Sequence, residues 1–427
     1  MVGLATKILP AGPEEAEVTL IGGSAGFGES IVVRYNNDEW AIIDSCVDTI
    51  TQTCLPIAYL VDIGVKVKEQ VKYVICTHWH DDHIRGLHDV LEACSNDVIF
   101  CVAIASEKLK FLYEIQRSNL YEPDRGVRKE LILTMDKVKE KGIKVKRLLQ
   151  DLPVFEIGSC KCYALSPSQK ELEMFFNELA YAISEQGQVL SQKEMLSSVP
   201  TADIESADDI SDEVFATLEA DAGIQPAAFT ESDYQDLERL KEDSKSSKPN
   251  INDRSVALLF NIQGHHVVLG ADLEVSSDSE CGWQSVNDCD CMRGVNAGIF
   301  KVPHHGSSTG YYELFLRNHI KSTATGKIAT WITGRKVRPE KNTLGKYYNY
   351  LNKLFITTDP SYLTGKFSSP EYKSYMEEST ESIVDIKNQI GIIQSRLDLN
   401  SESDEWITTV YGSAKVVSNE LINRMTE

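Results

Sequence analysis

The sequence lacks long apolar runs. No stretch reaches the about 20 consecutive apolar residues that a membrane-spanning helix needs. The segment from Met1 to Lys7 also lacks the charged-then-apolar order of a signal peptide. We therefore expect a cytoplasmic protein that has no membrane partner.

The sequence also lacks an excess of positive charge. It contains 43 Lys and Arg residues against 64 Asp and Glu residues, so its formal net charge is −21. The stretch from Gln169 to Lys248 holds 19 acidic and 6 basic residues and carries −13 of that charge. This balance argues against a broad surface that coats DNA without specificity. It does not exclude a small polyphosphate site, because bound metal ions reverse the local field.

The ten cysteines do not form the framework of a disulfide-rich protein. Several lie inside apolar runs, as Cys76 and Cys101 do, and we predict buried, reduced thiols. Cys281, Cys289 and Cys291 form a short cluster. A fourth thiol is missing there, so an independent zinc site is not expected.

Short β-branched runs separated by turn residues and helical segments predict a mixed α/β sandwich. The predicted strands are residues 17–21, 30–35, 40–44, 71–76, 97–103, 255–261, 267–270, 298–302, 328–332 and 406–411. A helix is predicted over residues 86–93. A second helix is predicted from a 3-4-3-4 spacing of apolar residues, namely Ile383, Ile386, Ile390, Ile393 and Leu397. This second helix can pack on the domain or serve dimerisation.

Residues 168–249 form a separate compositional block that is acidic and rich in Ser, Ala and Asp. We interpret it as an insertion that is partly helical. It can be a solvated decoration, or a lid or a docking element for a protein partner.

The strongest chemical signal is a loop that follows the apolar run 71–76. Three histidines and two aspartates lie within six residues, which are His78, Trp79, His80, Asp81, Asp82 and His83. In an extended segment, His78 and His80 project to one side, whereas Asp82 and His83 turn the other way. A polar cluster this dense is costly to desolvate without a cation. We predict a two-metal site, with zinc favoured and manganese or iron as alternatives.

The pattern HxHxDH at residues 78–83 resembles the signature of the metallo-β-lactamase superfamily. The resemblance implies a four-layer αββα sandwich with the metals at the edge of the sheets. It assigns His78 and His80 to one metal, and Asp82 and His83 to the other. Asp44 resembles the early aspartate of the family, which braces the loop and does not bind metal.

Two later segments narrow the resemblance. Residues 252–259 with 267–272 resemble the segment that delivers the bridging aspartate, here Asp272, and residues 300–307 resemble the KVxHHGS motif. Both are typical of the hydrolase domain of ComEC-type competence proteins, which are DNA-uptake channels. The implied organisation is an N-terminal half-domain (1–167), the acidic insertion (168–249) and a C-terminal half-domain (250–427) with a helical segment near 370–400.

The resemblance also implies roles for the adjacent histidines. His305, which precedes a glycine, aligns with the last metal ligand, and His304 would then support a ligand or donate a proton. The expected metal ligands are His78, His80, Asp82, His83, Asp272 and His305. Asp82 and His304 are the candidate catalytic residues. We expect His88, His265, His266 and His319 to be ordinary surface or helix residues.

One position departs from the family pattern. Ser166 stands where the family supplies a histidine. The metal held by His78 and His80 would therefore bind more weakly or take a water in that place.

The implied function is hydrolysis of a phosphodiester, as in a phosphodiesterase or nuclease, by a metal-bound hydroxide. The anionic substrate would be a nucleic acid or nucleotide. The alternatives are a hydrolase of a lactone, thioester, phosphocholine ester or peptide, and a regulatory or binding module with a weakened metal site. Arg254, Lys301 or Arg335 can orient an anionic substrate or be solvated charges.

Overall fold

The computed structural model describes residues 8, 10–23, 28–36, 38–48, 51–103, 125–172, 174, 252–333, 336–351, 353–360, 390–401 and 403–425. Most of the acidic block 168–249 and the first half of the predicted helix at 383–397 lie outside these residues. The half-domain boundaries and a protein partner of the acidic block therefore stay predictions. The cytoplasmic location is also still a prediction. No helix among the described residues is long and apolar enough to cross a membrane.

Two eight-stranded sheets form the centre of the molecule. In spatial order, the first sheet contains β17 (Ile407–Gly412), β16 (Gly391–Asp398), β1 (Glu15–Gly22), β2 (Glu29–Asn36), β3 (Glu39–Ile43), β4 (Val71–Cys76), β5 (Ile99–Val102) and β6 (Lys144–Arg147). The second contains β18 (Lys415–Val416), β15 (Lys353–Ile356), β12 (Ile320–Ile328), β11 (Ala297–Lys301), β10 (His265–Leu269), β9 (Leu258–Ile262), β8 (Cys160–Ala164) and β7 (Pro153–Ile157). A separate hairpin pairs β13 (Trp331–Thr333) with β14 (Lys336–Arg338).

Helices cover the outer face of each sheet. The first sheet is covered by α1 (Leu55–Asp62), α2 (Val67–Gln70), α3 (Asp81–Ile84), α4 (Leu87–Ala93) and α5 (Arg125–Lys141). The second is covered by α6 (Gly282–Asp288), α7 (Glu313–His319), α8 (Lys341–Tyr350) and α9 (Asn419–Arg424).

Alternating side chains divide the core into three layers. Along β10, Val267 faces the first sheet, whereas Val268 faces the helices, because successive strand residues point to opposite faces. The inter-sheet layer joins residues such as Leu20 of β1 and Phe260 of β9. The predicted four-layer αββα sandwich is confirmed.

Parallel pairing fixes where the strands end. β3, β4, β5 and β6 run parallel, as do β10, β11, β12 and β15. The carboxyl ends of parallel strands meet at one edge of a sheet, where open α/β folds place their ligands. The histidine loop follows β4, Asp272 follows β10, and His304 and His305 follow β11.

Two sequence-based strand and helix predictions are wrong. Gly391–Asp398 is a strand, so the helix predicted through Ile390, Ile393 and Leu397 does not extend there. The strand predicted at 328–332 is split, since β12 ends at Ile328 and β13 begins at Trp331. The expectation of reduced thiols is confirmed, as all ten cysteines are free.

Candidate metal centre

Side chains from three distant segments meet at the carboxyl ends of β4, β10 and β11. His78 Nε2 lies 3.2 Å from His80 Nδ1 and 3.9 Å from Asp272 Oδ2. Asp272 Oδ1 lies 3.4 Å from His83 Nε2. The convergence that the sequence predicts is therefore present in the fold.

His305 completes the opposite side of the same site. Its Nε2 lies 3.2 Å from Asp82 Oδ2 and 3.5 Å from Asp272 Oδ2. The donor atoms form two groups, each within 4.8 Å of one another: His78, His80 and Asp272, and then Asp82, His83, Asp272 and His305. Asp272 belongs to both groups.

Several buried polar atoms at this site lack partners. His83 Nε2, Asp272 Oδ1 and His305 Nε2 are buried and make no hydrogen bond within the described part of the chain. Buried polar atoms are normally satisfied, and these three residues belong to one group of metal-donor residues, so their unsatisfied atoms favour a cation among them. This donor set of imidazoles and carboxylates fits a divalent cation such as zinc.

The titration behaviour of the site follows from burial and charge. Burial, helped by the neighbouring imidazoles of His83 and His80, holds the pKa of His78 well below its usual value, so this ring is neutral as a ligand must be. Burial alone would raise the pKa of Asp82, but the imidazoles of His83 and His305 outweigh it and lower that pKa. Burial opposes a proton on His305, yet the carboxylates of Asp272 and Glu29 raise its pKa to about 9. The carboxylates of Asp272 and Glu29 therefore favour positive charge beside His305.

The backbone around the site is strained. Asp44, Ala271, His304 and His305 have φ values of 57°, 42°, 45° and 53°. Non-glycine residues rarely adopt this left-handed region, and they keep it only where the surrounding structure enforces it. This strain lies at the ends of β3, β10 and β11, where it aims side chains at the site.

Asp44 braces the histidine loop, as its resemblance to the family aspartate implies. Its Oδ1 accepts a hydrogen bond from the Thr77 amide at 2.7 Å. Its Oδ2 accepts one from the Thr77 hydroxyl at 2.7 Å and lies 2.7 Å from His83 Nδ1. Because Nδ1 of His83 is engaged in this way, Nε2 is the nitrogen that faces the site.

A buried ion pair that the sequence did not reveal supports the site from behind. Lys301 Nζ lies 2.5 Å from Glu29 Oε1 and donates to the Ala271 carbonyl at 2.9 Å. Glu29 Oε2 lies 3.4 Å from His305 Nδ1. Lys301 is completely buried, so the expectations that it orients a substrate or is a solvated charge are both wrong.

Of the two other predicted cations, the structure describes Arg254. Arg254 is buried, and its Nε donates to the Glu171 carbonyl at 3.1 Å. Arg254 is therefore not a solvated charge. Its guanidinium group contacts the segment that follows β8. Arg335 lies outside the described residues.

Ser166 does not replace the missing histidine. Its buried hydroxyl donates to the Ser255 carbonyl at 2.6 Å and accepts from the Ala257 amide at 2.8 Å. Both roles of the hydroxyl are therefore used by the backbone. The group formed by His78, His80 and Asp272 contains three donors among the described residues.

His304 lies at the rim of the site and has an acidic partner. Its Nδ1 lies 2.7 Å from Glu274 Oε1 and 3.1 Å from the Thr309 hydroxyl, and its side chain is 20% exposed. Its Nε2 lies 3.2 Å from the Asn252 side-chain amide. Glu274 was not predicted. Its only sequence signal is a carboxylate two residues after Asp272.

The remaining histidines lie away from the site. His265 and His266 occupy the start of β10, at the opposite end of the strand from the segment that carries Asp272. His265 pairs with Asp404. His88 in α4 contacts Glu130, and His319 at the end of α7 contacts the Asn287 carbonyl. These placements agree with the expectation that all four are ordinary residues.

Comparison with known proteins supports the fold class. Residues 23–158, about a third of the chain, match the family model of the metallo-beta-lactamase superfamily. The matched segment includes Asp44 and the histidine loop and ends before Asp272. Together with the four layers, this match identifies the fold as the α/β sandwich of the metallo-β-lactamase superfamily.

Solved structures give more distant similarities. The metallo-beta-lactamase fold protein YhfI from Bacillus subtilis is 12% identical, with coverage of 80% of this chain and 95% of that chain, at a TM-score of 0.35. The metallo-beta-lactamase SMB-1 bound to 2-mercaptoethanesulfonate is 15% identical over 36% of this chain and 53% of that chain, at a TM-score of 0.23. The hydrolase AbOPH of the beta-lactamase superfamily is 13% identical over 38% of this chain and 67% of that chain, at a TM-score of 0.26. A comparison with curated proteins gave no match.

Proposed function

We propose that this chain is a metal-dependent hydrolase of phosphodiester bonds, a phosphodiesterase or nuclease. The observation that carries the proposal is the position of Asp272, which is shared by two adjacent groups of metal-donor atoms. Two cations that share a carboxylate can stabilise both the attacking and the leaving oxygen of an in-line displacement at phosphorus.

The first cation would be held by His78, His80 and Asp272. The second would be held by Asp82, His83, Asp272 and His305. Zinc suits these ligands best, with manganese or iron as alternatives. When bound, such cations lower the pKa of coordinated water and neutralise anionic charge on the substrate.

His304 is the proposed proton donor for the leaving oxygen. Glu274 lies 2.7 Å from Nδ1 of His304 and so fixes the tautomer and the orientation of the ring. In its imidazolium form, with Nδ1–H directed at Glu274, the ring would give the proton on Nε2 to the leaving oxygen; Nε2 lies 3.2 Å from the Asn252 side-chain amide.

The surroundings of the site favour a nucleotide-containing substrate. The half-buried Trp331 stacks against His305 with ring centroids 6.3 Å apart and an angle of 29° between the rings. Arg338 on the neighbouring strand of the same hairpin is the pairing partner of Trp331. An aromatic ring with a cationic residue on the adjacent strand suits a base and its phosphate. The resemblance of residues 300–307 to ComEC-type hydrolase domains supports the same substrate class.

Ser166 favours a second candidate function, a regulatory or binding module with a weakened metal site. Its hydroxyl is engaged by the backbone, so the first cation would have one protein ligand fewer than the family pattern supplies. Such a module would bind an anionic ligand and release it unchanged.

Metal analysis combined with a substrate panel tests both candidates. The panel contains bis(p-nitrophenyl) phosphate, single-stranded DNA, duplex DNA, RNA and cyclic nucleotides, together with a lactone, a thioester and a phosphocholine ester. We expect the native chain to bind metal and cleave a phosphodiester. Asp272→Asn should lose at least about 100-fold in turnover, since loss of a shared ligand exceeds the 10–100-fold cost of an outer partner.

His266→Ala is the matched control, because His266 lies on the same strand as Asp272 but at its other end. It should retain both metal and turnover. Equal turnover by the native chain and Asp272→Asn would contradict hydrolysis at this site. Bound metal with cleavage of the lactone or thioester alone would contradict the phosphodiester assignment, and bound metal without any turnover would favour the regulatory module.

A further inference from the structure

A second group of metal-donor atoms lies outside the histidine site. The thiols of Cys289 and Cys291 stand 3.4 Å apart. The carboxylate of Asp151 joins them, and the three ligand atoms lie within 4.8 Å of one another. None of these residues belongs to the histidine site.

The three residues come from two segments, the end of α6 and the turn before β7. Cys289 ends α6, and a 3₁₀ turn over Asp290–Met292 brings Cys291 back beside it. Asp151 has a left-handed backbone, with φ of 64°, and its amide donates to the Ala164 carbonyl at 3.0 Å. Its Oδ1 accepts a hydrogen bond from the Cys291 amide at 2.8 Å. The carboxylate is thereby fixed next to the thiols.

The ligand types and spacing fit a thiophilic cation. Zinc–thiolate bonds of about 2.3 Å in a tetrahedron place two sulfurs about 3.8 Å apart. The observed 3.4 Å is close to that spacing, whereas a disulfide needs about 2.05 Å. Cys289 is buried, Cys291 is half-buried and Asp151 is exposed, so one side stays open to a fourth ligand such as water.

We propose that Asp151, Cys289 and Cys291 bind one thiophilic divalent cation, with zinc as the preferred ion. The site would tie the turn before β7 to the end of α6, two segments that are 138 residues or more apart in sequence. Without a fourth thiol, the sequence spacing argued against a zinc site here. The fold supplies a carboxylate in place of one thiol, which the spacing could not show.

Cobalt(II) is the probe that separates this site from the histidine site. Thiolate ligands give Co²⁺ an intense near-ultraviolet charge-transfer band, and the described residues of the histidine site include no sulfur ligand. We expect Co²⁺ added in excess to the reduced, metal-free full chain to produce this band, with an amplitude that corresponds to one thiolate-bound Co²⁺ per chain. Cys289→Ser and Cys291→Ser should each lose most of it, and Asp151→Asn should weaken Co²⁺ affinity about 10-fold or more.

Cys281→Ser is the matched control, because Cys281 lies at the start of the same helix but outside the donor group. It should keep the full band. Absence of the band in the reduced native chain would overturn the proposal. So would a band that survives in Cys289→Ser and Cys291→Ser, or an unchanged affinity in Asp151→Asn. Circular dichroism verifies folding of each variant, and the less buried Cys291 provides the test if Cys289→Ser fails to fold.

Discussion

At the scale of single residues, the most consequential feature is the buried pair Glu29–Lys301. It lies behind His305 and Asp272 and connects the start of β2 to the end of β11. The two residues come from opposite sheets, so the pair joins both halves of the sandwich directly beneath the site. Removing one partner from such a pair leaves an uncompensated buried charge.

Glu29→Gln should therefore destabilise the fold by about 3–5 kcal/mol, because the buried Lys301 loses its nearest counter-charge and keeps only the Asp272 carboxylate at 3.9 Å. Urea unfolding measures this loss. The double variant Glu29→Gln/Lys301→Met removes both charges and should recover much of the stability while His305 keeps a weakened support. Equal stability of the single and double variants would show that the pair is not energetically coupled.

Ser166 is expected to contribute to fold stability and not to metal binding. Ser166→Ala removes the partner of the Ala257 amide and of the Ser255 carbonyl, and should cost about 1–3 kcal/mol in unfolding free energy. Metal stoichiometry should be unchanged, since the hydroxyl faces the backbone. Loss of metal without loss of stability would identify Ser166 as a ligand instead.

The candidate site could be predicted from sequence only in part. The histidines and aspartates of the loop at 78–83 indicate a metal site by their density alone. Resemblance to the family located Asp272 and His305. Glu29 and Glu274 could not be found, because each acts through a partner from a distant segment: Lys301 in one case and His304 in the other. A single carboxylate in a sequence has no local signature for such a role.

At the scale of elements, β16 shows why a strand was predicted as a helix. This strand pairs with β1 on one side and β17 on the other and is buried on both faces. Ile392 faces the outer helices, whereas Ile393 faces the second sheet. A strand with two apolar faces loses its alternating pattern, so its isoleucines can fit a helical spacing by chance.

Close packing at the start of β16 gives a testable consequence. A Cβ atom on Gly391 would stand 1.8 Å from the Thr357 carbonyl oxygen, which follows β15 of the other sheet. Gly391→Ala should cost at least about 3 kcal/mol, because backbone of the neighbouring sheet would have to move.

Gly345→Ala is the control for that substitution. Gly345 lies within α8 with open space around its Cα, and alanine there should stabilise the chain by about 0.5–1 kcal/mol through helix propensity. Thermal unfolding of each variant and of the native chain measures these changes in stability. A tolerated Gly391→Ala would show that the sheets do not approach as closely as described.

At the scale of the whole molecule, a buried lysine links the two sheets. Lys327 on β12 reaches across the inter-sheet layer and donates to the carbonyls of Val18 on β1 and Ile393 on β16. Burial lowers the pKa of Lys327 to about 7, although the carboxylate of Glu17 acts in the opposite direction. The neutral amine is thus favoured in the folded chain above that pH.

This shift predicts a pH dependence with a definite sign. Between about pH 7 and the ordinary lysine value of 10.5, the unfolded chain binds a proton that the folded chain does not. Stability therefore rises with pH across this interval. The unfolding free energy of the native chain minus that of Lys327→Met should increase from pH 7 to pH 10, since the difference isolates this group. A flat or falling difference would contradict the assignment.

The architecture as a whole was easier to predict than the pairing within it. Strand positions and the α/β alternation indicated the sandwich. The order of strands, and hence the meeting of the ends of β4, β10 and β11, depends on contacts between the two halves of the chain. Those contacts are invisible to local patterns, and they create the shared position of Asp272.

Anomalous scattering from crystals of the full chain grown with zinc tests this shared position most directly. Data collected on both sides of the zinc absorption edge should show two peaks that flank Asp272, one beside His78 and His80 and the other beside Asp82, His83 and His305. The ligand distances should be about 2.0–2.2 Å. Absence of any peak within bonding distance of Asp272 would contradict the account.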